Sequence, residues 1–235
     1  MSKLLTLIDD DKFNPGLISN LQNWYDSSDL STITSSLGKV SKWSDKSGNL
    51  RHATQNNSAL QPITNSTQIN GLNVIDFDGF DDKLDFDNTS IANSEYTILV
   101  VTVANSTVTN NWILGGTTAL VNQNFHIGHR TNTTVALGHY GNDLDATVAS
   151  GYSTSPRYLT FKLDSIGKSI RGNGVAIGSN TNNAQLINNN NSSIGKILNL
   201  TSYDGSIGEI IIYNKSLSID EVNLVEQYLA EKWSI

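Results

Sequence analysis

Short apolar runs alternate along the chain with clusters of Gly, Asn, Asp and Ser, from Leu21 almost to the C-terminus. Because the runs are short and rich in β-branched and aromatic residues, the pattern predicts strands joined by turns. Residues 96–103 form the longest apolar run, and their β-branched content favours a strand buried on both faces over a helix. Residues 158–163 alternate strictly, which predicts a strand with one buried face.

The C-terminal stretch predicts a central strand followed by an amphipathic helix. Residues 207–213 are almost entirely β-branched or aromatic, as in a strand covered on both sides. Ser218 and Glu221 have the spacing of a capping box, in which each side chain satisfies a free backbone N–H. Apolar residues then recur at helical spacing, which gives the helix one face to bury: Val222, Val225, Leu229 and Trp233.

Three further patterns predict local structure. The Asp78-Gly79 turn between residues 72–77 and 84–86 predicts a β-hairpin, whose inward side chains are Ile75, Phe77, Leu84 and Phe86. Asn173-Gly174 suits a type I′ hairpin turn. The polar tract 180–193 predicts a loop with a solvated edge strand, and a prion-like segment is the competing interpretation.

The N-terminal residues 1–20 are predicted to form an arm, because Pro15-Gly16 breaks regular structure before Leu17. The arm would dock on a neighbouring subunit of a homo-oligomer or fray. Residues 21–235 contain neither an evident repeat nor a linker between two cores. We therefore expect one all-β domain of two stacked antiparallel sheets with one C-terminal helix.

Composition excludes several classes of function. The net charge of −7 and the 15 Lys+Arg residues without a basic cluster argue against a nucleic-acid surface. No cysteine is present, so neither disulfides nor thiolate metal sites can form. The N-terminal apolar run is too short for a signal peptide or a membrane span. The sequence thus predicts a soluble protein that is made in the cytoplasm and has no membrane partner.

Four segments in this order resemble the concanavalin A-like lectin/glucanase superfamily, in its laminin-G-like branch of bacterial and phage surface proteins. They are residues 21–26, 40–55, 74–84 and 208–233, with motifs such as WSDKSGN and IDFDGFDDKL. The resemblance covers about residues 21–233 and implies a jelly-roll sandwich. It implies no particular ligand, because this fold carries lectins, glucanases, adhesion modules and virion decorations.

Glucanases of this superfamily carry paired glutamates near an aspartate on one strand, where nucleophile and acid lie about 5 Å apart. This chain has five glutamates, at 95, 209, 221, 226 and 231, and none has that spacing. A non-enzymatic protein is therefore expected. Glu209, which stands without a nearby second carboxylate, is interpreted as a partnered structural group.

Two groups of residues were considered as metal ligands. Asp78, Asp81 and Asp82 are weak calcium candidates, because Ca²⁺ takes six to eight oxygens; hydrogen bonding of the turn by its own Asp side chains is the favoured interpretation. His126 and His129 would face opposite sides of a regular strand, and His139 lacks further ligands. No cofactor is expected apart from this calcium candidate.

Loop aromatics beside amides or carboxylates are the candidate sugar site, because sugars stack on exposed rings and hydrogen-bond through their hydroxyls. The candidate ligand-binding residues are Asn111, Trp112, Tyr140, Asn142, Asp143 and Tyr203. Trp24, Trp43 and Trp233 belong to the fold motifs and are predicted in the core. For each loop aromatic, partial burial is the competing interpretation.

Together these features favour a non-enzymatic, lectin-like adhesion or surface-display module that binds glycans. By analogy, a single domain starting at Met1 without a signal suits a phage or virus decoration or tail protein, held to capsid or tail by residues 1–20 and exposed on the virion surface. One alternative is a purely structural capsid decoration or oligomerisation protein without a sugar ligand. A diverged glycoside hydrolase is the second alternative.

Overall fold

The computed structural model describes residues 13–107, 109–187, 192–198 and 201–235. These residues form 19 strands, one α-helix and five single-turn 3-10 helices. The strands are β1 (Leu21–Asp26), β2 (Ile33–Ser36), β3 (Lys39–Trp43), β4 (Ala53–Thr54), β5 (Ile63–Ile69), β6 (Leu72–Asp78), β7 (Leu84–Phe86), β8 (Tyr96–Ala104), β9 (Asn111–Gly116), β10 (His126–Thr131), β11 (Thr134–Gly138), β12 (Leu144–Thr147), β13 (Arg157–Leu163), β14 (Lys168–Gly172), β15 (Val175–Ser179), β16 (Ser192–Ile194), β17 (Lys196–Ile197), β18 (Thr201–Ser202) and β19 (Asp204–Tyr213). The α-helix is α1 (Ile219–Trp233), and the 3-10 turns are Pro15–Leu17, Leu30–Thr32, Ser58–Leu60, Thr89–Ile91 and Tyr152–Thr154.

The strands pair antiparallel into two layers. The first sheet runs β15, β14, β13, β8, β19, and the far edge of β19 pairs with β6 along its first half and β1 along its second. The second sheet runs β2, β3, β4, β7, β16, β9, β10, β11, β12. Strand β5 pairs with β6 and meets β3 at one corner, which joins the sheets. The fold is the predicted all-β, two-sheet jelly-roll sandwich with one C-terminal helix.

The main core lies between the two sheets, where alternate residues of each strand point inward. It includes Trp43, Ile98, Ile127, Phe161 and Ile210, all fully buried. Strand β8 is buried almost throughout and pairs with β13 on one side and β19 on the other. The prediction of a central strand at this position is confirmed.

The predicted hairpin between β6 and β7 is wrong, although its four inward side chains do lie in the main core. Strand β6 pairs with β19 and β5, whereas β7 pairs with β4 and β16 of the other sheet. Residues 204–207 of β19 occupy the edge of β6 that β7 would need. The turn at Asp78-Gly79 therefore carries the chain from one sheet to the other.

Of the two predictions for polar segments, the structure confirms one and contradicts the other. Asn173 and Gly174 both have positive φ and connect β14 to β15, so the type I′ hairpin prediction is confirmed. The solvated edge strand predicted in residues 180–193 is wrong, because the buried strand β16 begins at Ser192 and pairs on both sides. Residues 188–191 of that tract lie outside the described residues.

Helix α1 packs on the outer face of the first sheet and encloses a second core. The Ser218 hydroxyl accepts a hydrogen bond from the Glu221 backbone N–H (3.2 Å), and the Glu221 carboxylate accepts one from the Ser218 backbone N–H (2.9 Å), so the capping box is confirmed. The buried face of the helix carries the four predicted apolar residues. At Gly208 a Cβ atom would lie 2.7 Å from the Trp233 ring, so only glycine allows this close approach. None of the described helices is long and apolar enough to cross a membrane.

A buried carboxylate holds α1 to the sheet. Glu209 is completely buried, and four side chains donate hydrogen bonds to it: Trp24 Nε1 (2.7 Å), Tyr228 OH (2.9 Å), Lys232 Nζ (2.7 Å) and Trp233 Nε1 (2.8 Å). Since a buried charge is tolerated only when it is paired and hydrogen-bonded, this arrangement agrees with the predicted structural role.

Lys232 connects Glu209 to a second buried acid. Its Nζ lies 2.7 Å from Asp26 Oδ1, and Lys46 Nζ contacts the other oxygen of Asp26 at 2.9 Å. Burial alone would raise the pKa of Asp26, but the two lysines and Ser28 outweigh it and lower the pKa below its usual value. Strand β1, strand β19 and helix α1 thus share one network of alternating charges.

Part of the predicted N-terminal arm packs on this same helix face. Phe13 makes an edge contact with Tyr228, at 6.1 Å between ring centroids. The Pro15 carbonyl accepts a hydrogen bond from the Tyr213 hydroxyl (2.9 Å), and Ile18 is buried in the second core. Residues 1–12 lie outside the described residues, and the division of the chain at residue 20 stays a prediction.

Candidate functional site

A surface pocket opens on the outer face of the second sheet, on the side of the sandwich away from α1. Strands β10 and β11 turn Ile127 and Leu137 inward, so their neighbours on each strand face outward. The pocket has a volume of about 340 Å³. Its lining residues are Asn110, Trp112, His126, Arg130, Tyr140, Gly141, Asp143, Ile197, Leu198 and Thr201.

Glycine makes room for the histidine of the pocket. Gly138 on β11 is paired directly with His126 on β10. A Cβ atom at position 138 would collide with the His126 ring and with Asp143 Oδ1. Cross-strand side chains normally meet about 5 Å apart, so a glycine is needed for the ring to lie across the neighbouring strand. His126 therefore lies low in the pocket, with its Nδ1 3.2 Å from the Asn124 carbonyl.

Asp143 is the centre of the polar groups in the pocket. Its Oδ2 lies 3.3 Å from His126 Nε2 and accepts a hydrogen bond from Arg130 (2.8 Å), while Oδ1 accepts from the His139 backbone (3.0 Å). Arg130 also donates through Nε to Asp145 Oδ1 (2.8 Å). Burial would raise the pKa of Asp143, but His126 and Arg130 outweigh it and lower the pKa to about 2. Asp143 is thus an anionic hydrogen-bond acceptor at neutral pH.

Two aromatic residues line the pocket in different ways. Trp112 is only 4% exposed: His126 meets it edge-on at 4.8 Å between centroids, and the Arg130 guanidinium lies 5.3 Å from its ring. Ala136, Ile197 and Leu198 pack around the same indole, so it forms the floor. Tyr140 is 39% exposed and stands at the mouth, where its ring is available for stacking.

Tyr140 is held in an unfavourable backbone conformation. Its φ is +59°, a region that bulky residues rarely adopt. The turn around it is fixed by Asn142, whose Nδ2 donates to Asn122 Oδ1 (2.6 Å) and whose Oδ1 accepts from Asn182 (2.8 Å). Such strain costs on the order of 1–3 kcal/mol, and it persists only where the surrounding structure imposes it, as these hydrogen bonds do here. The conformation presents an aromatic ring where asparagine or glycine would be more stable.

The structure brings together four of the six predicted ligand-binding residues. Trp112, Tyr140 and Asp143 line the pocket, and Asn142 lies in the turn that positions Tyr140. Among these, Trp112 is buried, which is closer to the competing interpretation than to an exposed stacking ring. Of the four, Tyr140 presents an exposed ring to the pocket, and Asp143 presents a charged hydrogen-bond acceptor.

Asn111 and Tyr203 require correction. Asn111 is buried, and its amide is fully used by the Asp204 backbone, at 2.7 Å and 3.1 Å. Tyr203 lies completely buried in the main core, with its hydroxyl bonded to Thr102. Both neighbour β19 in the fold, so their polar atoms complete strand-end hydrogen bonds and do not face solvent.

Sequence reasoning missed Arg130 and the role of His126. His126 was considered only as a metal ligand, and Arg130 was not considered. Alternation along β10 was the available signal, because Ile127 is apolar and its neighbours would face the opposite side. Strands β17 and β18, which border the pocket, were not predicted from the sequence.

The three histidines do not form a joint metal site. His139 is buried in the main core, where its Nδ1 lies 2.9 Å from the Ala184 carbonyl and its Nε2 2.7 Å from the Tyr96 hydroxyl. His129 is paired with Val135 and does not face His139. Within the described residues, a single group of three or more potential ligands has its atoms within 4.8 Å, and it contains no histidine.

That group is the predicted calcium candidate, Asp78, Asp81 and Asp82. Asp78 Oδ1 accepts from the backbone of Phe80 (2.8 Å) and Asp81 (3.3 Å), and Asp82 Oδ2 accepts from the Asp78 backbone (3.1 Å). Burial, helped by the charge of Asp78, raises the pKa of Asp82 to about 6. The carboxylates therefore hold the turn together, as the favoured interpretation states.

If this turn is structural, Asp78→Asn is expected to change the melting temperature little, because the amide oxygen accepts the same backbone bonds. Asp78→Ala removes those bonds and is expected to cost about 1 kcal/mol of unfolding free energy. Thermal melts of both variants, with EDTA and with ~5 mM calcium, measure these changes in stability. A calcium-dependent rise in melting temperature that Asp78→Asn abolishes would instead identify an ion site.

The fold and this pocket define an all-β sandwich domain with a small, half-polar surface site. No protein-family model matches the chain, and no curated protein matches it. Solved structures do match. Domain 4 of AbnA, an extracellular GH43 arabinanase from Geobacillus stearothermophilus, solved in complex with arabinotriose, is 16% identical with a TM-score of 0.63, covering 87% of this chain and 98% of that one.

Two longer proteins contain a similar fold. The binding domain of Paraclostridial Mosquitocidal Protein 1 is 13% identical with a TM-score of 0.63 over 92% of this chain and 53% of that chain. Trypanosoma rangeli sialidase is 12% identical with a TM-score of 0.61 over 92% of this chain. The present chain spans 33% of the length of the sialidase. At these identities the similarity establishes the fold and not the ligand.

Proposed function

We propose that the protein is a non-enzymatic, lectin-like module that binds glycans through the pocket on its second sheet. The observation that carries the proposal is Tyr140, an exposed ring held at φ +59° at the mouth of a pocket. Below it lie an indole floor and the hydrogen-bonding groups of Arg130 and Asp143. An aromatic platform with a few fixed polar groups is the usual composition of a small-molecule site.

One comparison supports a sugar as the ligand. The similar arabinanase domain was solved with arabinotriose, so a domain of this fold and size holds an oligosaccharide. A pocket of about 340 Å³ accommodates one or two sugar units at most, which suits recognition of a chain end or a short motif.

The chemistry of the pocket favours binding over hydrolysis. A glycosidase needs a general acid whose pKa is raised, and the pKa of Asp143 is lowered to about 2. Asp145, on the neighbouring part of β12, is bonded to the same arginine as Asp143. Glu209 is buried behind four donors on the opposite side of the sandwich. These features support a protein without hydrolase activity.

Tyr140→Asn is the substitution that tests the site. Because asparagine tolerates positive φ, the variant is expected to gain about 1 kcal/mol of stability. It also loses the stacking ring, so glycan binding is expected to weaken at least about tenfold, using ~1.4 kcal/mol per tenfold. A glycan array finds the ligand, and calorimetry with the best arrayed glycan measures the loss.

Leu37→Asn is the matched control. Leu37 has φ +51° and is fully exposed in the β2–β3 turn, outside the pocket. Its replacement should give a similar gain in stability without a change in binding. If no glycan binds at high protein concentration while the fold is intact, the alternative of a structural decoration protein is favoured. Turnover of β-glucans would favour the glycosidase alternative.

We further propose that the module is displayed on a virion and attached to a capsid or tail protein through its N-terminal residues. This part rests on the acidic, Asn/Ser/Thr-rich sequence and on the resemblance to phage surface proteins. Because Phe13, Pro15 and Ile18 pack on the domain, the test should remove residues 1–12 only. A chain shortened in this way that still assembles on the particle would contradict attachment through the arm.

A further inference from the structure

The charged groups of the pocket are paired with one another. Arg130 lies between Asp143 and Asp145 and bonds to each at 2.8 Å. Asp143 also lies 3.3 Å from His126. One guanidinium thus stands between two carboxylates and is already paired with both.

We propose that the pocket selects uncharged glycans over glycans that carry carboxylates or sulfates, and that Asp145 is the residue that sets this preference. The proposal rests on the proposed glycan-binding function and specifies its ligand class. An anionic sugar needs an available cation, usually an arginine that can bond two oxygens at once. Arg130 already bonds two carboxylates, through Nε and one Nη, so an anionic ligand would have to share this guanidinium and lie beside their negative charges.

A neutral sugar meets no such penalty. Its hydroxyls both donate and accept, so they can bond to the carboxylate oxygens of Asp143 and to any N–H of Arg130 that faces the pocket. The whole chain carries a net charge of −7, which also disfavours the approach of anions.

Asp145 is the better of the two carboxylates for changing this balance. Asp143 also accepts from the His139 backbone and contacts His126, so its replacement would disturb the β11–β12 turn. Asp145 lies on β12, is 46% exposed and bonds to Arg130. Replacing it by asparagine keeps the size of the side chain and removes one negative charge beside Arg130.

Asp87→Asn is a closely matched control. Asp87 is 47% exposed and bonds to Arg51 at 2.6 Å, outside the pocket. Its Oδ1 accepts from the Thr89 backbone, a bond that an amide oxygen preserves. Both substitutions therefore remove one carboxylate from a half-exposed arginine pair and change the net charge equally.

The experiment measures the affinities of the wild type and both variants for arabino- and gluco-oligosaccharides and for the same chains ending in glucuronate. We expect the wild type to bind the neutral member at least tenfold more tightly. Asp145→Asn should reduce that ratio at least fivefold, and Asp87→Asn should leave it unchanged. Melting temperatures confirm that the variants are folded.

Three outcomes overturn the proposal in distinguishable ways. Equal or tighter binding of the glucuronate chains by the wild type removes the selectivity and leaves glycan binding intact. A ratio that Asp145→Asn does not change, or that Asp87→Asn changes equally, removes the role of Asp145. Absence of binding to every oligosaccharide, with all three proteins folded, overturns both the proposed function and this inference.

Discussion

Glu209→Gln is expected to lower the free energy of unfolding by about 3 kcal/mol or more, the cost of breaking one side of a buried ion pair. The amide oxygen can replace one carboxylate oxygen, but the amide nitrogen must then face either Trp24 and Tyr228 or Lys232 and Trp233. All four of those groups donate in the native structure. The new amide N–H group would then face other hydrogen-bond donors and could not bond to them. Lys232 would also lose one of its two carboxylate partners.

Urea unfolding measures this loss, and Glu231→Gln is the control on the same helix. Glu231 is exposed and bonds to Gln227, so its replacement should change stability by less than about 0.5 kcal/mol. Because the Glu209 network lies on the opposite face from the pocket, glycan affinity of the folded Glu209→Gln variant should be unchanged. A midpoint equal to that of the wild type would show that Glu209 has no structural role.

Stability is expected to fall steeply in acid because two histidines are buried. Burial, helped by Arg157, lowers the pKa of His129 to about 4, and burial with Lys168 lowers that of His139 to about 3. Unfolded histidine titrates near pH 6.5, so below that pH the unfolded chain takes up protons that the folded chain does not. At pH 4 each histidine then costs about 3 kcal/mol, from ~1.36 kcal/mol per pH unit.

Protonation of Asp82 changes the stability in the opposite direction over part of this pH range. Its pKa of about 6 in the folded protein exceeds that of a free aspartate, so the folded chain binds its proton first. Stability from this group is present below about pH 4 and is lost as the pH rises through 6. Between pH 5 and 6 the two histidines therefore oppose Asp82, and of these three groups the histidines together have the larger effect on stability.

The slope of unfolding free energy against pH tests this balance independently of absolute stability. His139→Gln and His129→Gln should each reduce the slope between pH 5 and 6, and Asp82→Asn should make it steeper. Chemical denaturation at half-unit pH steps provides the data. A slope that neither histidine substitution changes would contradict the assignment of the acid sensitivity to these residues.

The sequence was most informative where structure is decided locally. The capping box at Ser218, the helical repeat of α1 and the turn at Asn173-Gly174 depend on neighbours within a few residues. Strand pairing does not. Strand β6 pairs with β19, over 120 residues later, and that pairing defeated the hairpin expected from Asp78-Gly79.

The candidate site shows the same division. Tyr140 and Asp143 were predicted because they stand in an evident turn, whereas Arg130 reaches the pocket from the middle of the sheet. Tyr203 looks like a loop residue in sequence, but it directly precedes β19 and its ring enters the core. Which way a side chain points at a strand end depends on the sheet into which the strand is built, and the local sequence does not contain that information.

The opposite placement of the N-terminal residues and the pocket has a consequence for avidity. Phe13 and Ile18 lie on the helix face, and the pocket opens on the other side of the sandwich. A particle or scaffold that contacted the helix face around Phe13 and Ile18 would therefore leave the pocket on the side that faces away from it. A weak single-site affinity would then suffice, because multivalent contact raises the overall affinity by about 10²–10⁴ when geometry allows simultaneous engagement.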